Sequence, residues 1–133
     1  MRSLLFLAIV IFSYGCAQNS NDCNKVMCTM LFASVNCTLS DTTNPSLTGI
    51  STQTVIVLSG QIVHEQSGPG SIPDSSFVVV DDAALKTLGL QKEQKVLFKI
   101  SKNGTLIKSA EFTIKTDCCH VGKSAGPDKI PLN

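Results

Sequence analysis

Two groups of sulfur and nitrogen ligands stand near the two ends of this chain: Cys23 and Cys28, with four residues between them, and the unbroken trio Cys118-Cys119-His120. Three chemistries could use them. Thiolates with an imidazole suit zinc, a thiol beside an imidazole is a nucleophile with its base, and four thiols in an oxidising compartment become two disulfides. A four-residue gap is not the spacing of a familiar zinc knuckle, and adjacent side chains on a strand point to opposite faces. Neighbouring cysteines also bond to each other only in a strained ring, so Cys118 and Cys119 are each expected to reach back to one of Cys23 and Cys28. Which goes to which stays open. Such a clasp closes loops of about 90 residues, where chain entropy gives several kcal/mol per bridge. No cofactor is expected, and a metal or redox site at Cys118, Cys119 and His120 is the alternative.

The disulfide reading depends on compartment, and the start of the chain supplies one. Arg2 gives a positive charge, Leu4 to Phe12 form an apolar run of nine, and Ser13-Tyr14-Gly15 leads into Cys16. That run is too short to cross a bilayer, which takes about 20 residues of helix. It reads as a signal-peptide core. Cleavage before Cys16 would leave an N-terminal thiol for lipidation, whereas cleavage after Ala17 would release a secreted protein. The first is preferred, because uncharged Gln18-Asn19-Ser20-Asn21 suits a short tether. Several acyl chains would make the attachment durable, since one chain binds only marginally. The expected divisions are a signal at 1–15, a tether at 16–22 and a single domain at 23–133. The expected location is a bacterial outer membrane or cell surface, with secretion as the alternative.

Other residues tempt a functional reading and lose to a structural one. Bonded sulfurs are not nucleophiles, which leaves His120 as an ordinary imidazole at a strand end. His64 borders a polar stretch and has no obvious partner. Asp81-Asp82 precedes good helix formers, so capping and dipole compensation account for it, and calcium binding with Asp74 lacks a dense acidic loop. Gly68-Pro69-Gly70 is followed by neither a lysine nor a helix start, so it is no phosphate loop. Asn36-Cys37-Thr38 and Asn103-Gly104-Thr105 match the glycosylation pattern and matter only in a eukaryotic source.

The elements that must carry these groups are mostly strands. Leu31, Ala33, Val35, Cys37 and Leu39 alternate with Phe32, Ser34, Asn36 and Thr38, the period of a half-buried strand. Cys37 therefore falls on the apolar face, as a buried free thiol. Asp41 to Gly49 is a loop, and Thr52 to Val57 a second strand that could continue through Gln61-Ile62-Val63 after Ser59-Gly60. Glu65 to Pro73 reads as the longest loop. Phe77-Val78-Val79-Val80 reads as a strand buried on both faces. Asp81 or Asp82 then caps a short helix over Ala83 to Leu88 that stops at Gly89. Val96, Phe98 and Ile100, then Leu106, Ala110, Phe112 and Ile114, mark the inner face of a hairpin whose Asn103-Gly104 suits a type I′ turn. Five or six strands and one helix point to an all-β antiparallel two-sheet sandwich, immunoglobulin- or transthyretin-like.

Composition narrows the partners. Arg2 is the only charged residue in 1–15, so of eleven basic and ten acidic side chains, ten of each remain in the mature chain. A neutral domain without a basic run lacks the footprint of a nucleic-acid binder. After the signal the aromatics are Phe32, Phe77, Phe98 and Phe112, all expected in the core. No tyrosine or tryptophan is left for stacking on a sugar.

The stretch Asp22-Cys23-Asn24-Lys25-Val26-Met27-Cys28-Thr29, the centre Phe77-Val78-Val79-Val80-Asp81-Asp82, and the tail Thr116-Asp117-Cys118-Cys119-His120-Val121 with Gly126-Pro127-Asp128-Lys129-Ile130 resemble a family of small uncharacterised bacterial lipoprotein domains. The resemblance spans most of the mature chain and implies a transthyretin-like or carboxypeptidase-regulatory-like β-sandwich on a lipid anchor. It implies no catalytic residue. Cys37 departs from it, standing where an ordinary apolar residue is expected. The reading is thus of an exported, lipid-anchored cell-envelope domain with a structural or binding role and no catalysis. Its partners would be the membrane, through the anchor, and an unidentified protein or small molecule. A secreted eukaryotic binding module is a third option.

Overall fold

A computed structural model describes residues 22–44, 46–68 and 75–133. The signal, Cys16, Ala17 and most of the tether lie outside the described residues, as do Pro69, Gly70 and Asp74.

Among the described residues eight strands form two sheets. A three-stranded sheet has the order β4-β1-β8 and a five-stranded sheet the order β3-β2-β5-β6-β7. The strands are β1 (Ser34–Ser40), β2 (Ile50–Ile56), β3 (Ile62–Ser67), β4 (Ser76–Asp81), β5 (Glu93–Lys102), β6 (Thr105–Thr116), β7 (Val121–Ala125) and β8 (Lys129–Pro131). Every pairing is antiparallel except β1 with β8. The chain is an all-β sandwich, as its alternation implies, with α1 (Leu85–Leu88) as the one short α-helix among the described residues.

The core lies where the inner faces meet. Val35, Cys37 and Leu39 of β1 face Val96, Phe98 and Ile100 of β5 and Phe112 and Ile114 of β6 within one buried cluster. Phe98 and Phe112 meet edge to face, with centroids 5.9 Å apart and planes at 81°, a pairing worth about 0.5–1.5 kcal/mol beyond the area it buries. Phe77, Val79 and Val80 are fully buried, while Val78 on this edge strand is only half-buried. Asn103 and Gly104 both take positive φ, 50° and 82°, as a type I′ turn requires.

Several expectations are corrected. Phe32 and Leu31 are exposed rather than in the core, because β1 starts at Ser34, opposite Asp81, where β4 ends. Upstream of that point the chain has no strand to pair with, and alternation without a partner buries nothing. The proposed extension through Ile62 is a separate strand, β3, folded back on β2 as a hairpin, and its pairing with β2 persists to Ser67, into the expected loop. Leu106 is exposed rather than inward. A bulge puts Ile100 opposite Lys108 but Ser101 opposite Leu106, so the tip of β6 presents the opposite face. Two strands that the sequence did not mark, β7 and β8, follow the cysteine pair, so Cys118 and Cys119 sit in the turn between β6 and β7.

Candidate functional site

The ends of β4 and β6 and the start of β1 meet at one end of the sandwich, where the chemistry-bearing residues collect. Cys23 bonds Cys118 and Cys28 bonds Cys119, with Cα atoms 5.2 and 5.3 Å apart across separations of 95 and 91 residues. The two bonds fasten the irregular segment ahead of β1 to the turn between β6 and β7. Cys37 is free and buried, and burial, with Lys123 opposing and Asp128 adding to it, pushes its thiol up to about 11.

Asp117 shapes the turn. Its Oδ1 accepts the N–H groups of Cys119 at 2.6 Å and His120 at 2.7 Å, and its own N–H donates to the His120 carbonyl. The Cys119 and His120 N–H bonds hold its carboxyl below the usual range, against burial. This side-chain-to-backbone turn is what directs Cys118, Cys119 and His120 to different partners.

Asp82 is the hub. Asp81 is the capping residue expected at this point, its side chain accepting the Ala83 N–H. Asp82 instead accepts the N–H of Ala33 at 2.7 Å and of Val121 at 2.8 Å, and its Oδ2 lies 2.7 Å from His120 Nδ1. Burial disfavours its charge, yet the Ala33 N–H, the His120 ring and the Val121 N–H together hold its carboxyl below the ordinary value. His120 Nε2 in turn lies 3.0 Å from Thr29 Oγ1. With Nδ1 turned to the carboxylate, Nε2 is the ring nitrogen placed to accept from the Thr29 hydroxyl when the proton is on Nδ1. Hydroxyl, imidazole and carboxylate thus stand in the order nucleophile, base and orienting group.

Thr29 and His120 line a cavity of 370 Å³ with Val26, Met27, Gln91 and Asp117, beside Cys118 and Cys119. Gln91 donates to Cys118 Sγ at 3.2 Å. Because all four clasp cysteines are bonded, Cys118 and Cys119 are not thiolate ligands, and among the described residues no cluster of three or more His, Cys, Asp or Glu could hold a metal.

His64, for which the sequence suggested no partner, has its Nδ1 3.6 Å from Asp81 Oδ2. Asp81 and Asp82 therefore face different partners and are not a carboxylate pair. Asn36 is exposed on β1 and Asn103 sits in the hairpin turn. Sequence reasoning missed Thr29 and Asp117. An Asp just before the cysteine pair is a visible turn signal; nothing marks Thr29. No family model, no curated protein and no solved structure matches this chain.

Proposed function

We propose that the chain is an exported, lipid-anchored β-sandwich of the cell envelope with a structural or binding role. The observation that carries this is the pair of disulfides locking the lead-in segment onto the β6–β7 turn. Two such bonds fit an oxidising, extracytoplasmic environment. The charged start, the apolar run and Cys16 support export with lipidation. An intact mass of the natural protein reads cleavage site, acylation and disulfide number together. Acyl mass on Cys16, and a large fall in membrane retention in Cys16→Ser with the fold retained, are the expected results. Unchanged membrane retention of Cys16→Ser overturns the anchor.

One arrangement favours a second reading. The Thr29–His120–Asp82 relay opens on a cavity, which suits ester hydrolysis: the Thr29 oxygen would take the acyl group while its proton passes through His120 to the leaving alcohol, and water would then release the acid. A fluorophosphonate adduct on Thr29 that disappears in His120→Ala would establish it. The absence of an adduct on folded protein removes it, leaving the relay as a tie between the lead-in segment and the sheets.

A further inference from the structure

The clasped end is also where the molecule leaves apolar side chains uncovered. The described residues include eleven exposed large apolar side chains, and nine of them lie in the segments that meet at this end. Five belong to the lead-in segment, where Met27, Met30, Leu31 and Phe32 are all at least 69% exposed. The β2–β3 turn adds Val57 and Leu58, with Ile62 just after it, and the α1–β5 connection adds Leu90. Strand direction puts these segments together: Ile56 pairs with Val96 near the start of β5, Glu93 pairs with Lys115 near the end of β6, and Ser34 pairs with Asp81. The other two, Leu106 and Ile107, sit by the hairpin turn at the opposite end.

The lead-in segment is not loose chain showing apolar groups by accident. It is tied by both disulfides, by Thr29 to His120 and by the Ala33 N–H to Asp82, and these ties hold its methionines, leucine and phenylalanine outward. Leaving such groups in water is unfavourable, and a concentration of them marks an interaction surface. Of the acids of this end, Asp81 and Asp82 are half-buried and Asp117 is exposed, and all three accept backbone N–H groups. Lys25, Lys86 and Lys92 are exposed there beside Asp22, Glu93 and Asp117, so the exposed groups of this end carry no excess of negative charge to repel a membrane surface.

We propose that this end seats directly on a lipid bilayer, its apolar side chains entering the headgroup region as a second membrane signal beside the acyl group. The proposal rests on the anchored reading of Cys16. Six peptide units separate Cys16 from Asp22 and span at most about 20 Å, and Asp22 adjoins Cys23, which is bonded at this end. A lipidated Cys16 therefore holds this end, and not the Asn103-Gly104 end, against the membrane. Unbranched methionines suit a fluid surface without fixed shape, and a second hydrophobic contact is what makes lipid anchoring stable.

The test uses vesicles of phosphatidylethanolamine and phosphatidylglycerol with exported Cys16→Ser protein, which carries no acyl group. A measurable fraction is expected to float with the vesicles, smaller than that of the acylated protein. Adding Met30→Ser, Leu31→Ser and Phe32→Ser should lower the partition coefficient by about tenfold or more, given the apolar area removed, whereas adding Leu106→Ser and Ile107→Ser should leave it unchanged. If the triple variant is misfolded, Leu58→Ser with Leu90→Ser replaces it, with the same loss expected. Cys16→Ser protein that stays with the soluble fraction while natural protein floats overturns the proposal and leaves the anchor standing. Natural protein without acyl mass, alongside Cys16→Ser protein that floats, removes the anchor and upholds the apolar end. Equal flotation of all variants, or self-association in place of flotation, also overturns it.

Discussion

Asp82 and His120 are 38 residues apart in the chain, and Asp82 Oδ2 lies 2.7 Å from His120 Nδ1 while the same carboxylate accepts two backbone N–H groups from the segments on either side of it. One side chain thus joins the lead-in segment, the end of β4 and the start of β7. Asp82→Ala would leave the Ala33 and Val121 N–H groups and the imidazole without their acceptor in a part-buried site. The expected loss is about 2–4 kcal/mol by urea unfolding, several unmade bonds at about 1–3 kcal/mol each and not fully additive. Asp82→Asn keeps one acceptor oxygen and should cost less. An Asp82→Ala midpoint equal to wild type would show that the hub does not hold the end together.

Acid should undo the same end. Asp82 and Asp117 both have folded-state pKa values held below the ordinary carboxylate value, by the bonds described above. A depressed folded pKa means stability that is fully present above the unfolded value, about 3.9 for Asp, and is lost as pH falls through the folded one. The urea midpoint should therefore be insensitive to these two groups near neutrality and decline below about pH 4. Asp117→Asn should flatten that decline. An unchanged acid limb in the variant would remove Asp117 from the account.

How much of the fold and of the clasped end was legible depends on whether the signal was local. The four clasp cysteines, the turn at Asn103-Gly104 and the inward position of Cys37 were readable, since side-chain alternation and dipeptide chemistry operate within a few residues. The Thr29–His120–Asp82 relay was not, because its members are 91 and 38 residues apart and only the folded sheets bring them together. Phe32 was misplaced because alternation shows which residues share a face and not where a partner strand ends. Leu106 was misplaced because a bulge reverses the phase without a sequence mark. β7 and β8 went unseen because each buries a single large side chain, Val121 and Ile130, amid polar and small neighbours.

The two disulfides should not contribute equally when removed in turn. With either bond in place the large loop stays closed, and the other bond adds only a small ring through Cys23–Cys28 and Cys118–Cys119. The chain-entropy relation then gives about 2 kcal/mol for losing one bond and about 7 for losing both. Cys23→Ala with Cys118→Ala, compared with the fourfold alanine variant, tests this by chemical unfolding. A one-bond variant as unstable as the fourfold variant would mean that strain or packing at Cys23–Cys118, rather than loop closure, carries the effect.

A substitution in the core should act in the stabilising direction. Thr54 is fully buried on the inner side of β2, and its hydroxyl has no hydrogen-bond partner among the described residues. Thr54→Val keeps the branched shape and removes a buried polar group, so a gain of about 1 kcal/mol is expected from the relieved desolvation. A fall in the thermal midpoint would show that the hydroxyl is satisfied in solution.

Two glycines with positive φ should respond differently to the same change. At Gly104, with φ +82°, nothing lies within 4 Å of an added Cβ. Gly104→Ala therefore meets only the cost of the left-handed conformation, about 1 kcal/mol. At Gly126, with φ +128°, the new methyl would stand 2.4 Å from Phe112 Cδ1, and that ring is buried and held edge to face by Phe98. The ring has nowhere to retreat in a close-packed core, so overpacking adds about 1–3 kcal/mol to the conformational cost. Gly126→Ala is thus expected to lower the urea midpoint by clearly more than Gly104→Ala. Equal losses would mean that Phe112 can shift, and that the segment joining β7 to β8 does not press on the aromatic pair.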